Sequence, residues 1–173
     1  MIGASLGDRL LYVGCTDASL MGAVGSKVGL SGRVCAIVPD DAHAARARRA
    51  AEKSGFLLEL ETGDLGTFPF EDGAFNVIVV DNEDGLISSM RPEQRVAALQ
   101  EAFRTLAARG RIVVIERGER GGLGALFGSR AGAPVDLHYK SSGGAIGALG
   151  AEGFRAVRLL AERDGLSFFE GVR

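Results

Sequence analysis

Arg111-Ile112-Val113-Val114-Ile115-Glu116 is an almost unbroken apolar run, closed by charge at both ends. A strand with one wet face alternates apolar and polar residues, whereas a strand covered on both faces has no need to. The run therefore reads as a buried strand, the fifth in the chain. Upstream of it Pro92 opens a helix in which Val96, Leu99, Phe103 and Leu106 form one stripe, with Gly110 as its stop. Phe75 to Asp81 reads as the fourth strand and Phe56 to Thr62 as the third. Arg33 to Val38, halted by Pro39, is the second, and Leu10 to Gly14 the first. Between the first two, Asp17 to Gly29 places Leu20, Met21, Val24 and Val28 on one helical face. After the second, Asp40 and Asp41 open an alanine-rich helix that runs to Ser54 and closes at Gly55. Downstream of the fifth strand, residues 117–140 are glycine-rich and irregular, with one helical turn expected around Leu123 to Phe127. Ser142 to Glu152 reads as a last helix. Phe154 to Arg163 and Leu166 to Val172 are strands joined by Asp164-Gly165, a tight-hairpin signal.

Strands that alternate with helices imply right-handed crossovers and a parallel sheet covered on both faces, and the hairpin makes the last strand antiparallel. The chain of 173 residues, 46% hydrophobic and 24% charged, suits a single α/β domain over residues 1–173. A chain of this size buries roughly 70% of its unfolded surface. With 20 basic and 22 acidic residues the net charge is −2, which gives no electrostatic case for nucleic acid or an anionic membrane. No apolar run approaches membrane-spanning length, and MIGASLGDRLLYVG lacks the basic start of a secretory signal. Cys15 and Cys35 in apolar strand contexts read as free buried thiols, and the expected location is cytoplasmic. The 26 glycines follow no repeat and fall at turns and close-packed helix faces.

Three stretches together resemble the class I S-adenosylmethionine-dependent methyltransferases, in particular the small-molecule "type 11" branch. Leu10-Leu11-Tyr12-Val13-Gly14-Cys15 looks like that family's first strand and glycine-rich loop. Gly63-Asp64-Leu65-Gly66-Thr67-Phe68-Pro69-Phe70-Glu71-Asp72-Gly73-Ala74-Phe75-Asn76-Val77-Ile78 is similar to its Gly-Asp, Pro-Phe, acidic-turn and apolar-strand pattern. Leu106-Ala107-Ala108-Arg109-Gly110-Arg111 resembles its turn before the fifth strand, without the proline and one glycine. The resemblance spans residues 8–172. It implies a Rossmann-like, three-layer αβα fold with a seven-stranded, mostly parallel sheet in the order 3-2-1-4-5-7-6, strand 7 antiparallel.

The same resemblance implies S-adenosylmethionine as cofactor and Gly14, Thr16, Val38, Asp64, Leu65 and Asp81 as the positions around it. Several depart from the family pattern. Tyr12 stands where strand 1 carries an acid. Thr16 and Ala18 replace glycines that let the backbone approach the cofactor, and Asp17 adds a negative charge there; Thr16 or Asp17 also suits a helix N-cap. Val38 replaces the acid that accepts from the ribose hydroxyls, with Asp40 and Asp41 as alternative carboxylates or simply helix-start residues. Asp64 matches the residue that accepts from the adenine amino group, with Leu65 supplying an amide; an Asx-turn is the competing role. Asp81-Asn82-Glu83-Asp84 lies where cofactor and substrate meet, as a solvated acidic loop or a weak magnesium candidate. His138 is a candidate base, Arg46, Arg48 and Arg49 the wet face of their helix, and no residue is assigned as catalytic or metal-binding. Only about nine residues precede strand 1, so the helices that cap the family's pocket are expected to be absent and the site open to water. The expected function is that of a protein related to small-molecule methyltransferases with a degraded, weakly binding cofactor site. The alternative is a non-catalytic binding protein on the same scaffold. The expected partner is a small molecule or a protein, with self-association.

Overall fold

A computed structural model describes residues 2–118 and 135–173. In chain order the elements are β1 (Arg9–Val13), α1 (Ala18–Val28), β2 (Arg33–Val38), α2 (Asp41–Ser54), β3 (Glu59–Thr62), β4 (Phe75–Asn82), α3 (Pro92–Thr105), β5 (Leu106–Arg117), α4 (Leu137–Ser141), α5 (Gly144–Ala151), β6 (Arg155–Arg163) and β7 (Leu166–Val172). The seven strands form one sheet in the order β3-β2-β1-β4-β5-β7-β6. All pairings from β3 across to β5 are parallel, and β7 is antiparallel to both β5 and β6. This is the Rossmann-like methyltransferase topology expected from the sequence. The expected turn at Leu123 to Phe127 lies outside the described residues.

Side chains of successive residues leave the sheet on opposite faces. Leu10, Tyr12, Val34, Ala36, Val38, Val77 and Val79 pack with Met21, Val24, Ala44, Ala47 and Ala50 under α1 and α2. Leu11, Val13, Ile37, Ile78, Val80, Ile112 and Val114 pack on the other face with Leu99, Ala102 and Leu149. Cys15 belongs to the first face and Cys35 to the second, and both are free thiols. Helix α1 lies close against α2 because two of its buried residues have no side chain. A Cβ at Gly22 would strike the Ser54 hydroxyl, and one at Gly25 would come within 2.6 Å of the Phe56 ring.

The segment between β3 and β4 is tied to α3. The Arg104 guanidinium donates to the carbonyls of Phe68 (3.1 Å) and Phe70 (2.9 Å) and to Asp72 (2.7 Å), while the Phe68 amide donates to Glu101 (2.7 Å). The Pro-Phe motif is thus held as scaffold. The tip of the last hairpin has Asp164 and Gly165 both at positive φ, as its sequence requires.

Four local expectations need correction. Strand β3 starts at Glu59 rather than Phe56, because Phe56 is buried against α1 and Leu57 is exposed. Helix α3 ends at Thr105, and Leu106 already pairs with Phe75; a bulge then intervenes before Val77 meets Arg111, so Gly110 lies inside β5. The buried face of α3 is Arg95, Ala98, Leu99, Ala102 and Thr105, with Val96 exposed. The last helix is present as α5, but the end of the stretch expected to be irregular forms a further short helix, α4, of which His138 is an exposed residue.

Candidate functional site

The sheet order reverses between β1 and β4. In open α/β sheets ligands collect at the carboxyl ends of strands at such a point. Here β1 delivers Gly14 to Asp17, β2 delivers Asp40 and His43, and β4 delivers Asp81 to Leu86.

Asp81 is the last inward-facing residue of β4 on the Tyr12 face and is fully buried. Its carboxylate accepts from the Thr16 amide (2.8 Å) and the Asp17 amide (3.4 Å) on one oxygen, and from the Glu83 amide (3.3 Å) on the other. Burial nevertheless holds this carboxyl above the usual range, and the three amides only partly offset that. Asp17 caps α1, accepting from Ser19 and Leu20. The amides of the glycine-rich loop are therefore engaged by the chain's own acids.

Gly14 has φ +79°, and a Cβ on it would lie 2.6 Å from Leu86 and 3.2 Å from the Asp81 carbonyl. Leu86 thus occupies the space that the missing side chain leaves open. Two residues earlier Asp84 meets His43, with Oδ2 at 3.3 Å from Nε2. The other imidazole nitrogen, Nδ1, lies 2.8 Å from Asp40, which also caps α2 through the His43 amide. These bonds to His43 hold the Asp40 carboxyl below its ordinary range. Segment 81–86 consequently runs from β4 over the first loop to α2. Arg46 is part of the same closure, donating to the Cys15 carbonyl at 2.6 Å, so it is not simply on a wet face.

The other expected positions divide clearly. Val38 is fully buried in the apolar layer under α1 and α2 and presents no acceptor. Asp64 is exposed, and its carboxylate accepts from the Gly66 amide at 2.9 Å, an Asx-type turn. Leu65 is buried in the opposite apolar layer. Tyr12, Thr16, Glu83 and Asp84 each carry a buried polar side-chain atom without a hydrogen-bond partner among the described residues. Burial first, then the charges of Asp81, Cys15, Glu83 and Asp17, push the Tyr12 phenol well above its usual value. Burial first and Asp81 next push the Glu83 carboxyl up to about 7, with Arg117 opposing. Among the described residues no group of three or more His, Cys, Asp or Glu side chains is arranged to hold a metal ion, and no helix is long and apolar enough to cross a membrane.

Next to this edge, β5 and α4 build a second polar group. Asn82 donates to Glu116 (2.8 Å) and accepts from the amides of Ile87 (2.8 Å) and Ser88 (3.1 Å). Tyr139 donates a short hydrogen bond to the same Glu116 oxygen. Arg95 lies over the Tyr139 ring, 5.0 Å from its centroid, and donates to Asp136 and the Met90 carbonyl. The sequence reading did not identify His43, Leu86 or Glu116, and placed Tyr139 only within a segment expected to carry substrate contacts. Asp40 and Asp84 were visible as acids, but nothing local connects them to a histidine between them.

The chain is similar to an uncharacterized 37.1 kDa protein in transposon TN4556 of Streptomyces fradiae, 34% identical over 66% of this chain and 32% of that protein. It is also similar to the ubiquinone/menaquinone biosynthesis C-methyltransferase UbiE of Ruegeria sp., 37% identical over 41% of this chain and 26% of that enzyme. The chain therefore spans about a third or less of the length of these curated relatives. A SAM-dependent methyltransferase from Aquifex aeolicus superposes on 99% of this chain and 85% of its own, with TM-score 0.72 at 20% identity. Residues 10–110 match the methyltransferase domain family, and the chain belongs to it.

Proposed function

We propose that this chain descends from small-molecule S-adenosylmethionine-dependent methyltransferases and that its own side chains now close the edge where the cofactor would bind. It would hold S-adenosylmethionine weakly or not at all. The observation that carries this reading is the path of segment 81–86. Asp81 sits on the Thr16 and Asp17 amides, Leu86 on Gly14, and Asp84 on His43. The residues present do not suit the cofactor elsewhere either. Val38 offers a ribose no acceptor, Asp40 is committed to His43, and Asp64 is committed to its own turn. No methyl-transfer step is derived through such a site.

The expected magnitude follows from the missing contacts. A micromolar cofactor complex corresponds to about −8 kcal/mol. A hydrogen bond to a charged group contributes roughly 1.5–3 kcal/mol, and that of a ribose acid is absent at Val38. Crowding and negative charge at Thr16, Asp17 and Leu86 remove about as much again, leaving affinity near millimolar. Calorimetry with S-adenosylmethionine and S-adenosylhomocysteine tests this directly. Heats too weak to fit below about 100 μM are expected, and a micromolar dissociation constant would overturn the reading.

The alternative of a non-catalytic binding protein is favoured by the buried polar atoms that the edge leaves without partners. They suit a ligand other than a nucleoside. A small molecule or a protein is the expected partner. Cytoplasmic residence is supported by two free buried thiols, and self-association by exposed Leu30 and Leu57. Sedimentation showing only monomer at micromolar concentration would count against the last.

A further inference from the structure

His43 stands in the first turn of α2 with its side chain 11% exposed. Both ring nitrogens face carboxylates, Nδ1 that of Asp40 at 2.8 Å and Nε2 that of Asp84 at 3.3 Å. A neutral imidazole carries one N–H, so it donates to one of them and turns a lone pair toward the other. Only the imidazolium satisfies both. The two contacts are not equal. Asp40 is the closer, and it is fixed in place by capping α2 through the His43 amide. The single proton of a neutral ring therefore belongs on Nδ1, and the contact that fails is the one with Asp84. Among the described residues the Asp84 carboxylate has no second hold, because its other oxygen is buried without a partner.

We propose that Asp40, His43 and Asp84 form a proton-controlled latch, which holds segment 81–86 over Gly14 while the imidazole is charged and lets it go when the charge is lost. Imidazoles change charge between about pH 5 and pH 8, so the edge is fastened on the acid side of that range and loosened on the alkaline side. Leu86 is what the latch keeps in place, since it fills the space beside Gly14. Glu83, in the same segment, acts with the same sign. Its carboxyl, pushed up to about 7 chiefly by burial, keeps its proton in the closed segment and becomes charged there as pH rises. The other charged or titratable groups around the segment are Asp81 on β4, Arg117 on β5, Asp17 and Cys15 of the first loop, and Arg46 one turn along α2. Burial pushes the Cys15 thiol up to about 12, so it keeps its proton throughout. The proposal rests on the preceding reading in taking segment 81–86 to close the cofactor edge.

The test is amide exchange of the unmodified chain without ligand at pH 5 and pH 8, corrected for the intrinsic rate at each. The Glu83 and Gly85 amides bond within the segment, to Asp81 and to the Asn82 carbonyl. Their protection should fall about fivefold, the upper range for a partly exposed pair. The Ile87 and Ser88 amides, held by the Asn82 side chain, should change less. Nitrogen NMR of the His43 ring should show both nitrogens protonated at pH 5 and Nδ1 alone at pH 8. His43→Gln should leave only the part of the fall that Glu83 supplies, and Glu83→Gln only the part that His43 supplies. Protection independent of pH, a remaining proton on Nε2, or a His43→Gln profile equal to that of the parent overturns the proposal. The ring spectrum decides it on the unmodified chain if the variants do not fold. Tight S-adenosylhomocysteine binding with pH-dependent protection would sink only the former reading. Weak binding with pH-independent protection would sink only this one, and tight binding with pH-independent protection both.

Discussion

The carboxyl edge of the sheet has two halves that meet at β4, and they are finished differently. On the β5 side Asn82, Glu116, Tyr139 and Arg95 all have partners, and no atom of theirs is buried and unpaired. On the β1 side Tyr12, Thr16, Glu83 and Asp84 each leave one buried polar atom without a partner. Burying an unpaired polar group costs about 1–3 kcal/mol in proteins. Under the proposed function, the satisfied half serves as scaffold and the half left short as the place for a ligand. The alternation of β4 makes this division. Asn82 points to the α3 face and Asp81 and Glu83 to the α1 face, so adjacent residues serve opposite halves.

The largest expected effect is on the satisfied side. Asn82→Ala strands the buried Ile87 and Ser88 amides and leaves Glu116 one donor short. A loss of about 2–4 kcal/mol is expected. For a domain of this size each kcal/mol is roughly 2–4 °C in melting temperature, so thermal denaturation should show a fall of about 5–15 °C. A fall under about 2 °C would mean that the β5 half is no better built than the other.

Glu83 gives the converse on the unsatisfied side. Its folded pKa of about 7 lies above the ordinary 4.5. Between those values the folded chain holds a proton that the unfolded chain has lost. Stability attributable to Glu83 is therefore greatest below the ordinary value and decreases as pH rises through the window. Glu83→Gln removes this dependence. The variant should gain on the parent from pH 5 to pH 8, by on the order of 2 kcal/mol. A gap that stays constant across that range would show that Glu83 is not the strained group.

A smaller effect is expected where the closing segment is fastened to α2. Asp84→Asn weakens the contact with His43, and partly exposed pairs of this kind contribute about 0.2–1 kcal/mol. If segment 81–86 closes the cofactor edge, a cofactor that needs it open should gain about the same amount. S-adenosylhomocysteine affinity should rise up to fivefold, and amide exchange of residues 83–90 should quicken. An unchanged affinity with quicker exchange would separate the fastening from the closure.

The succession of strands along the chain could be read before the structure because each strand is marked by its own residues, while their order in the sheet was implied by the family resemblance. Arg111 to Glu116 is apolar throughout, Pro39 stops β2, and Asp164-Gly165 turns the hairpin. The face of α3 was misread for a physical reason. Besides Leu99, its buried positions include Ala98 and Ala102, which carry little hydrophobic signal, while Val96 supplies signal and lies exposed. Gly110 suggested a helix stop, but the bulge between Phe75 and Val77 lets β5 begin five residues early. At the site, Gly14, Thr16, Val38, Asp64 and Asp81 were proposed from the resemblance to the methyltransferase family. The bonds that Asp81 makes to the first loop were not legible, since those partners are backbone amides 64 and 65 residues away. His43 and Asp84 are 41 residues apart, and only the crossing of segment 81–86 over Gly14 brings them together.

The most direct comparison of the halves makes the same deletion on each. Tyr12→Phe and Tyr139→Phe both remove one hydroxyl from a buried ring. The Tyr139 hydroxyl donates to Glu116, so its loss removes a hydrogen bond to a charged group and should destabilise by about 1.5–3 kcal/mol. The Tyr12 hydroxyl has no partner, and removing it ends the cost of keeping it from water. Tyr12→Phe should be neutral or stabilising, by up to about 1 kcal/mol. The two changes in melting temperature should then have opposite signs or differ by several degrees. Should Tyr12→Phe cost as much as Tyr139→Phe, the Tyr12 hydroxyl is satisfied in solution, and the β1 half is not waiting for a ligand.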